Sequence, residues 1–274
     1  MDVPVRRLDV GELGNCVELA ESRDWTPEQR KWRMLFHVGE VYGIDDPAGG
    51  LAGMVTLTRF GTEVAGIGMM VVSPRHGRRG LGTRLMTHAL REAKTASVWL
   101  TATDFGRPLY EKLGFRAVSK STQYFARFTE QSVTASRPVS TEDFAAVVEL
   151  DEHVFGAPRT DLLRYLTGIA DDFRVVDGPD GPVGYGVAWL GAGTTQIGPV
   201  VAADQDMALT LIAELAGGID GYVRLDIDHW HPDMLAWAEE HRMDEGMTTT
   251  VMVAGDPLPG DRKRLFSPVA VAIG

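Results

Sequence analysis

One stretch restricts this chain more than any other. It runs Ile67-Gly68-Met69-Met70-Val71-Val72, then Ser73-Pro74-Arg75-His76-Gly77-Arg78-Arg79-Gly80, then Leu81-Gly82-Thr83-Arg84-Leu85-Met86. The first segment is short and apolar, as a fully buried strand is. Pro74 and Gly77 punctuate it. From Leu81 onward, Leu81, Leu85 and Ala89, flanked by Met86, Leu90 and Ala93, recur at helical spacing. A glycine-rich turn that opens a helix presents free backbone N–H groups and the positive end of the helix dipole, which suits an anion such as pyrophosphate. Arg75, Arg78 and Arg79 add charge beside it.

The surrounding pattern alternates strands and helices. Residues 8–22 read as a helix, with Trp25 in the loop that follows. Thr26-Pro27-Glu28 reads as the start of a second helix, Thr as cap and Pro at the first helical position. Strands are expected at 39–44, 51–60 and 97–103, and helices at 80–94 and 106–113. A strand pair at 115–118 and 123–128 closes the unit. The polar segment 129–136 resembles a linker, dividing the chain into units 1–130 and 137–274. At 274 residues, two domains are likelier to be found than one on size alone.

The second unit repeats the order of the first. Helices are expected at 142–153, 159–169, 207–216 and 233–241, and strands at 172–177, 183–191, 195–201, 222–227 and 246–253. Local echoes support a tandem repeat: Ile67-Gly68 before Val71-Val72 returns as Ile197-Gly198 before Val200-Val201. Such alternation indicates an α/β or α+β layered architecture.

Composition excludes several classes. A net charge of −11 argues against a general nucleic-acid binder. It serves solubility, and is also compatible with a cationic substrate. No apolar run is long enough to cross a bilayer. Cys16 is the only cysteine, so no intrachain disulfide forms, and a small core residue is expected there. Without an apolar signal segment at the start, the chain is expected to be cytoplasmic.

Gly77-Arg78-Arg79-Gly80-Leu81-Gly82 resembles the acyl-CoA motif Q/R-x-x-G-x-G/A of the GNAT N-acetyltransferases. Both required glycines match, while Gly77 stands where that family has Gln or Arg. Gly106-Arg107-Pro108-Leu109-Tyr110-Glu111-Lys112-Leu113-Gly114-Phe115 is similar to its A-x-x-x-Y-x-K-x-G-F segment. The resemblance covers about the first 128 residues. It implies two GNAT-like domains, each a mixed, largely antiparallel sheet flanked by helices. It also implies acetyl-CoA as donor, held by Met70, Val71, Val72, Gly77, Arg78, Arg79, Gly80, Leu81, Gly82 and Thr83. Tyr110 stands where the family has the acid that protonates the departing thiolate. Thr103 stands where many members have an Asn that contacts the CoA arm. Arg107 either faces a phosphate or caps its helix.

The second unit resembles the family more weakly. Gly198 to Met207 carries neither Gly-x-Gly nor an arginine, and Asp204 and Asp206 oppose a pyrophosphate. The resemblance is therefore to tandem proteins in which the first domain works and the second encloses the acceptor. That acceptor is expected to be a small-molecule amine. Trp25 either lines its pocket or joins the core. Asp226 and Asp228 share a strand face and suit a cationic amine, or else form a strand end with a helix cap. Glu63, His37 and Glu40 are candidate bases, with a water relay as the alternative. His229 and His231 lack further clear ligands, so no metal is expected. A non-catalytic acyl-CoA-binding regulatory module, and an acetyltransferase of protein lysines or N-termini, are the competing functions. A homo-oligomer is compatible with all of them.

Overall fold

The computed structural model describes residues 3–128 and 135–273, so most of the expected linker at 129–136 lies outside the described residues. In the first half, β1 (Arg6–Leu8) and β2 (Glu40–Asp45) enclose helices α1 (Leu13–Glu21) and α2 (Gln29–Val38). Strands β3 (Leu51–Phe60) and β4 (Val64–Val72) follow, then α3 (Leu81–Ala93), β5 (Ser97–Ala102), α4 (Arg107–Lys112) and β6 (Arg116–Ala126). The second half opens with β7 (Arg137–Pro138), α5 (Phe144–Phe155) and α6 (Thr160–Ile169), followed by β8 (Asp172–Gly178), β9 (Gly181–Leu190) and β10 (Thr195–Val201). It closes with α7 (Gln205–Ala216), β11 (Val223–Asp228), α8 (Pro232–Glu240), β12 (Asp244–Gly255) and β13 (Leu265–Ser267).

These strands form one mixed, mostly antiparallel sheet in the order β1-β2-β3-β4-β5-β12-β6-β11-β10-β9-β8-β7, with β13 against β10. The fold class is the one expected, α/β with two similar halves. The two halves exchange strands. Strand β12, near the end of the chain, lies against β5 of the first half, with Val253 opposite Trp99 and Thr250 opposite Ala102. Strand β6 of the first half lies between β12 and β11. Each half thus supplies a strand to the sheet of the other. Backbone hydrogen bonds that an edge strand leaves open are thereby closed.

Helices α1, α2, α5 and α6 share one hydrophobic core, in which Trp32 and Leu35 join Leu162, Leu166 and Phe155. Phe60 and Phe155 meet edge to face at 5.2 Å across the halves. Such a pair adds roughly 0.5–1.5 kcal/mol beyond its burial. Helices α3 and α4 pack in a separate core, and α7 and α8 in a third. These two pairs of helices are therefore kept apart from the shared core. Arg159 is fully buried with Asp151, at 2.5 and 3.0 Å, and Tyr185 donates to the same carboxylate. Removing one partner of such a pair costs about 3–5 kcal/mol. Cys16 is buried, and burial pushes its thiol up to about 12, with Glu12 adding to the shift.

Several boundaries differ from expectation. Leu8 belongs to β1, and Asp9 then caps a short 3-10 turn before α1. Helix α2 begins at Gln29, later than a Thr26 cap predicts; Glu28 holds the boundary, its carboxylate on Lys31. The expected pair at 115–118 and 123–128 is one strand, β6. Its polar centre reads as a turn, but two of its hydroxyls have long-range partners: Ser119 donates to Asp228, and Thr122 bonds His229 and Thr248, both at 2.8 Å.

The exchange makes a testable demand. A fragment of residues 1–130 leaves β5 without β12, so it should lack a cooperative thermal transition, and co-expression with 137–274 should restore one. Circular dichroism melting distinguishes this from two halves that fold independently.

Candidate active site

Strand β4 is bulged where the sequence turns from Gly68 to Val71. Thr56 of β3 lies opposite Gly68 and Met54 opposite Val71, so three steps of β4 face two of β3. Met69 takes a left-handed φ of 46°, and neither Met69 nor Met70 has a ladder partner. This is a β-bulge, which bends its strand and releases backbone groups from the ladder. On the other side, parallel pairing with β5 extends only from Val64–Ser97 to Ile67–Leu100. Beyond that point β4 and β5 separate. The bulge and the separation coincide, so backbone N–H groups around Met70 face a slot in the sheet.

The loop after β4 leads from that slot to α3. Arg78 and Gly80 both have left-handed backbone, with φ of 60° and 76°. Gly80 is the residue before α3, and no side chain caps the helix start. The first intrahelical bond runs from Arg84 N–H to Gly80 O, at 3.1 Å, so the N–H groups of Leu81, Gly82 and Thr83 lie ahead of it. Arg78 and Arg79 are exposed on the same loop. A side chain at Gly82 would meet Leu109 of α4 at 3.2 Å and Met70 at 3.7 Å. One glycine therefore marks where the loop, the bulge and α4 converge. An uncapped helix start, a left-handed glycine and an adjoining slot fit an acyl-CoA pyrophosphate and its thioester arm.

Sequence reasoning overlooked what anchors this loop. His76 Nε2 lies 2.8 Å from Asp46 of the β2–β3 turn, both buried, and Arg75 reaches the same carboxylate at 3.3 Å. The Ala48 N–H, followed by His76, holds the Asp46 carboxyl below its usual range. The signal was a lone Asp in a turn, 30 residues from its partner, so nothing local marked it.

Tyr110 is buried on α4, near Gly106 and edge to face with Phe115 at 6.1 Å. Burial pushes its hydroxyl up to about 12, which keeps it protonated. Thr103 is engaged locally, its hydroxyl accepting the Gly106 N–H at 3.3 Å. Arg107 does not cap α4; it pairs with Glu111 one turn on, at 2.7 Å. Trp25 is partly exposed in the α1–α2 loop, whose Arg23 lies 5.5 Å over the Phe105 ring beside α4.

Other expected residues do not gather at the bulge. Asp226 is fully buried and holds Arg224 at 2.9 and 3.1 Å, so it is not open to an amine. Asp228 accepts from Ser119 and caps the Trp230 N–H at 3.0 Å, and burial raises its carboxyl. Glu63 sits in the β3–β4 turn, at the far end of β4, bonded to Thr62. Glu40 is paired with Arg7 and Arg59, and His37 packs on Tyr165 at 4.8 Å. Among the described residues, no group of three or more His, Cys, Asp or Glu is placed to hold a metal, and no helix is long and apolar enough to cross a membrane.

The second half has the same bulge, between Ile197 and Val200 of β10, and the same parting from β11. There the slot is filled. Strand β13 pairs Ser267 with Val200 and Leu265 with Val201, and Ser267 donates to Ile197 O at 2.8 Å. A side chain at Gly198 would collide with Pro268 O at 1.9 Å. Asp204 caps α7 by accepting the Met207 N–H at 2.9 Å. The helix start that is open in the first half is spent here.

Comparison with known proteins agrees with this duplication. A model of the acetyltransferase (GNAT) family matches residues 9–115, and a model of the acetyltransferase (GNAT) domain matches residues 147–267. The chain is 26% identical over 255 residues to the uncharacterized N-acetyltransferase YitH of Bacillus subtilis (strain 168), covering 90% of this chain and 89% of that one. A crystal structure of a candidate acetyltransferase from Pyrococcus horikoshii superposes with a TM-score of 0.81 at 19% identity, over 98% of this chain and 95% of that one. A tandem GNAT protein from the clavulanic acid biosynthesis pathway gives 0.65 at 14%, over 93% and 99%.

The Gly80 assignment can be checked directly. Gly80→Val places a β-branched residue in left-handed backbone, at about 1–2 kcal/mol of strain, and puts a side chain beside the helix start. Affinity for acetyl-CoA should fall by about 10-fold or more as the close backbone approach is lost, read by calorimetric titration. Unchanged affinity would contradict the assignment.

Proposed function

The chain belongs to the GNAT family of N-acetyltransferases, with two such domains in tandem, and we propose that the first transfers an acetyl group from acetyl-CoA to a primary amine of a small molecule. The second domain then shapes the acceptor side without binding acyl-CoA. The observation that carries this reading is the contrast between the halves. An uncapped α3 start and an open β4–β5 slot stand against a capped α7 start and a slot filled by β13.

The reaction is a direct attack within a ternary complex. The neutral amine nitrogen attacks the thioester carbon; a C–N bond forms and the C–S bond breaks. The amine gives up one proton, and the thiolate takes one. Met70 to Val72 supply the backbone donor for the charge that develops on the carbonyl oxygen. Such fixed donors are worth a few kcal/mol in related sites. Tyr110 donates to the departing sulfur, and its raised pKa suits an acid that must stay protonated at neutral pH. Leu81, Gly82 and Thr83 offer their N–H groups to the pyrophosphate, with Arg78 and Arg79 beside them. Arg107 is paired with Glu111. With Glu63, Glu40 and His37 engaged elsewhere, a water relay is the route by which the amine loses its proton.

Tyr110→Phe tests the acid. Its kcat should fall by about 10²-fold or more, with acetyl-CoA affinity little changed. The acid is present below its pKa and lost as pH rises through about 12. Wild-type kcat should therefore show no alkaline loss from this group across the working range. Full activity of the phenylalanine variant at every pH would remove Tyr110 from the mechanism.

A further inference from the structure

The β4–β5 slot has a closed end, and the last described segment of the chain lies across it. Parallel pairing stops at Ile67 and Leu100, so Gly68 and Thr101 are the first residues to part. Thr101 donates to Val271 O at 2.9 Å. A side chain at Gly68 would meet Ala272 O at 2.6 Å and Ala272 Cβ at 3.2 Å. Val271 and Ala272 therefore bridge the two strands where they separate. The bridge is held from both sides. Val269, Ala270 and Ile273 are buried around it, and the Ile273 N–H bonds Ala270 O at 2.9 Å to close a turn.

The bridge lies on one face of the sheet. Val269, Ala270 and Ile273 join the shared core, as do Met69 and Trp99. Met70, Leu100 and Tyr110 pack in the other core, with α3 and α4. Side chains alternate along a strand, so Thr101 turns to the same face as Trp99. The slot therefore has Tyr110 on one face and the Val271–Ala272 bridge on the other.

This placement fixes where an acyl chain goes. A thioester carbon holds its sulfur, its oxygen and its acyl chain in one plane, pointing three ways. With the sulfur toward Tyr110 and the oxygen toward the N–H groups of the β4 bulge, the acyl chain points away from α4. It meets Val271 and Ala272. The amine attacks at right angles to that plane, so the bridge leaves its approach clear.

We propose that Val271 and Ala272 set the length of the acyl group, so that the donor site takes acetyl and turns away longer chains. The gauge comes from the second half of the chain, while the donor site lies in the first. What an added methylene meets is backbone, tied to β5 through Thr101. The direction of the acyl chain rests on the acetyltransferase reading above; the bridge itself does not.

Calorimetric titration of the full chain with CoA and with acetyl-, propionyl-, butyryl- and hexanoyl-CoA tests the proposal. Butyryl- and hexanoyl-CoA should bind wild type about 10-fold or more weakly than acetyl-CoA, the cost of methylenes forced into packed space. Ala272→Gly removes the methyl nearest Gly68 and should move the limit by one carbon. Propionyl-CoA should then gain about fourfold over acetyl-CoA, the worth of one buried methylene, while hexanoyl-CoA stays weak. Thr101→Val keeps the shape of the side chain and cuts the bond to Val271 O, so the preference for acetyl over butyryl should narrow. Both variants should bind CoA itself as wild type does, which reports an intact site. Equal affinity across the series in wild type, or a length preference that neither variant changes, would overturn the proposal. Failure of CoA and of every acyl-CoA to bind would count against the acetyltransferase reading, and the gauge would fall with it.

Discussion

The candidate site begins where two parallel strands stop pairing. β4 and β5 exchange backbone bonds as far as Ile67 and Leu100 and then part. In a sheet, such a gap leaves donors and acceptors without partners, which is costly unless a ligand or another segment meets them. The bulge at Met69 and Met70 turns the backbone toward the gap. The uncapped start of α3 adds further donors on the same side. The bonds of His76 and Arg75 to Asp46 tie the loop before α3 to the β2–β3 turn.

The second half shows what the same geometry does when the chain supplies its own partner. Its bulge survives at Ile197 to Val200, but β13 occupies the gap and Asp204 satisfies the helix start. After β13 the chain passes to the first half, where Val271 and Ala272 lie beside the open slot. One terminal segment therefore closes one cleft and forms a wall of the other. The exchange of β6 and β12 fixes the halves relative to each other, so this wall is positioned by the sheet itself.

Much of this was legible in the sequence because local signals and tertiary structure agree. The run from Ile67 to Met86 is strand, turn and helix as its periodicity indicates, and the repeat at Ile197 to Val201 marks an equivalent bulge. Asp204 stands just ahead of α7 and caps it, and Asp206 lies in its first turn. The failures share a cause. Ser119 to Thr122 are polar and look like a turn, yet they form strand, paired with β11 and β12, and distant residues bond the hydroxyls of Ser119 and Thr122. Asp226 looks available on a strand face, yet Arg224 claims it. The bond from Thr101 to Val271 O spans 170 residues, and no local pattern announces it. Long-range pairing leaves no local trace, so these features needed the folded chain.

On the proposed function, two similar folds hold one working acyl-CoA cradle. Its most direct test is the stoichiometry of acetyl-CoA binding, combined with amide hydrogen exchange in the loops before α3 and α7. One acetyl-CoA should bind per chain, with new protection at 77–84 and none at 202–208. Two equivalents bound, or protection centred on the second loop, would contradict it.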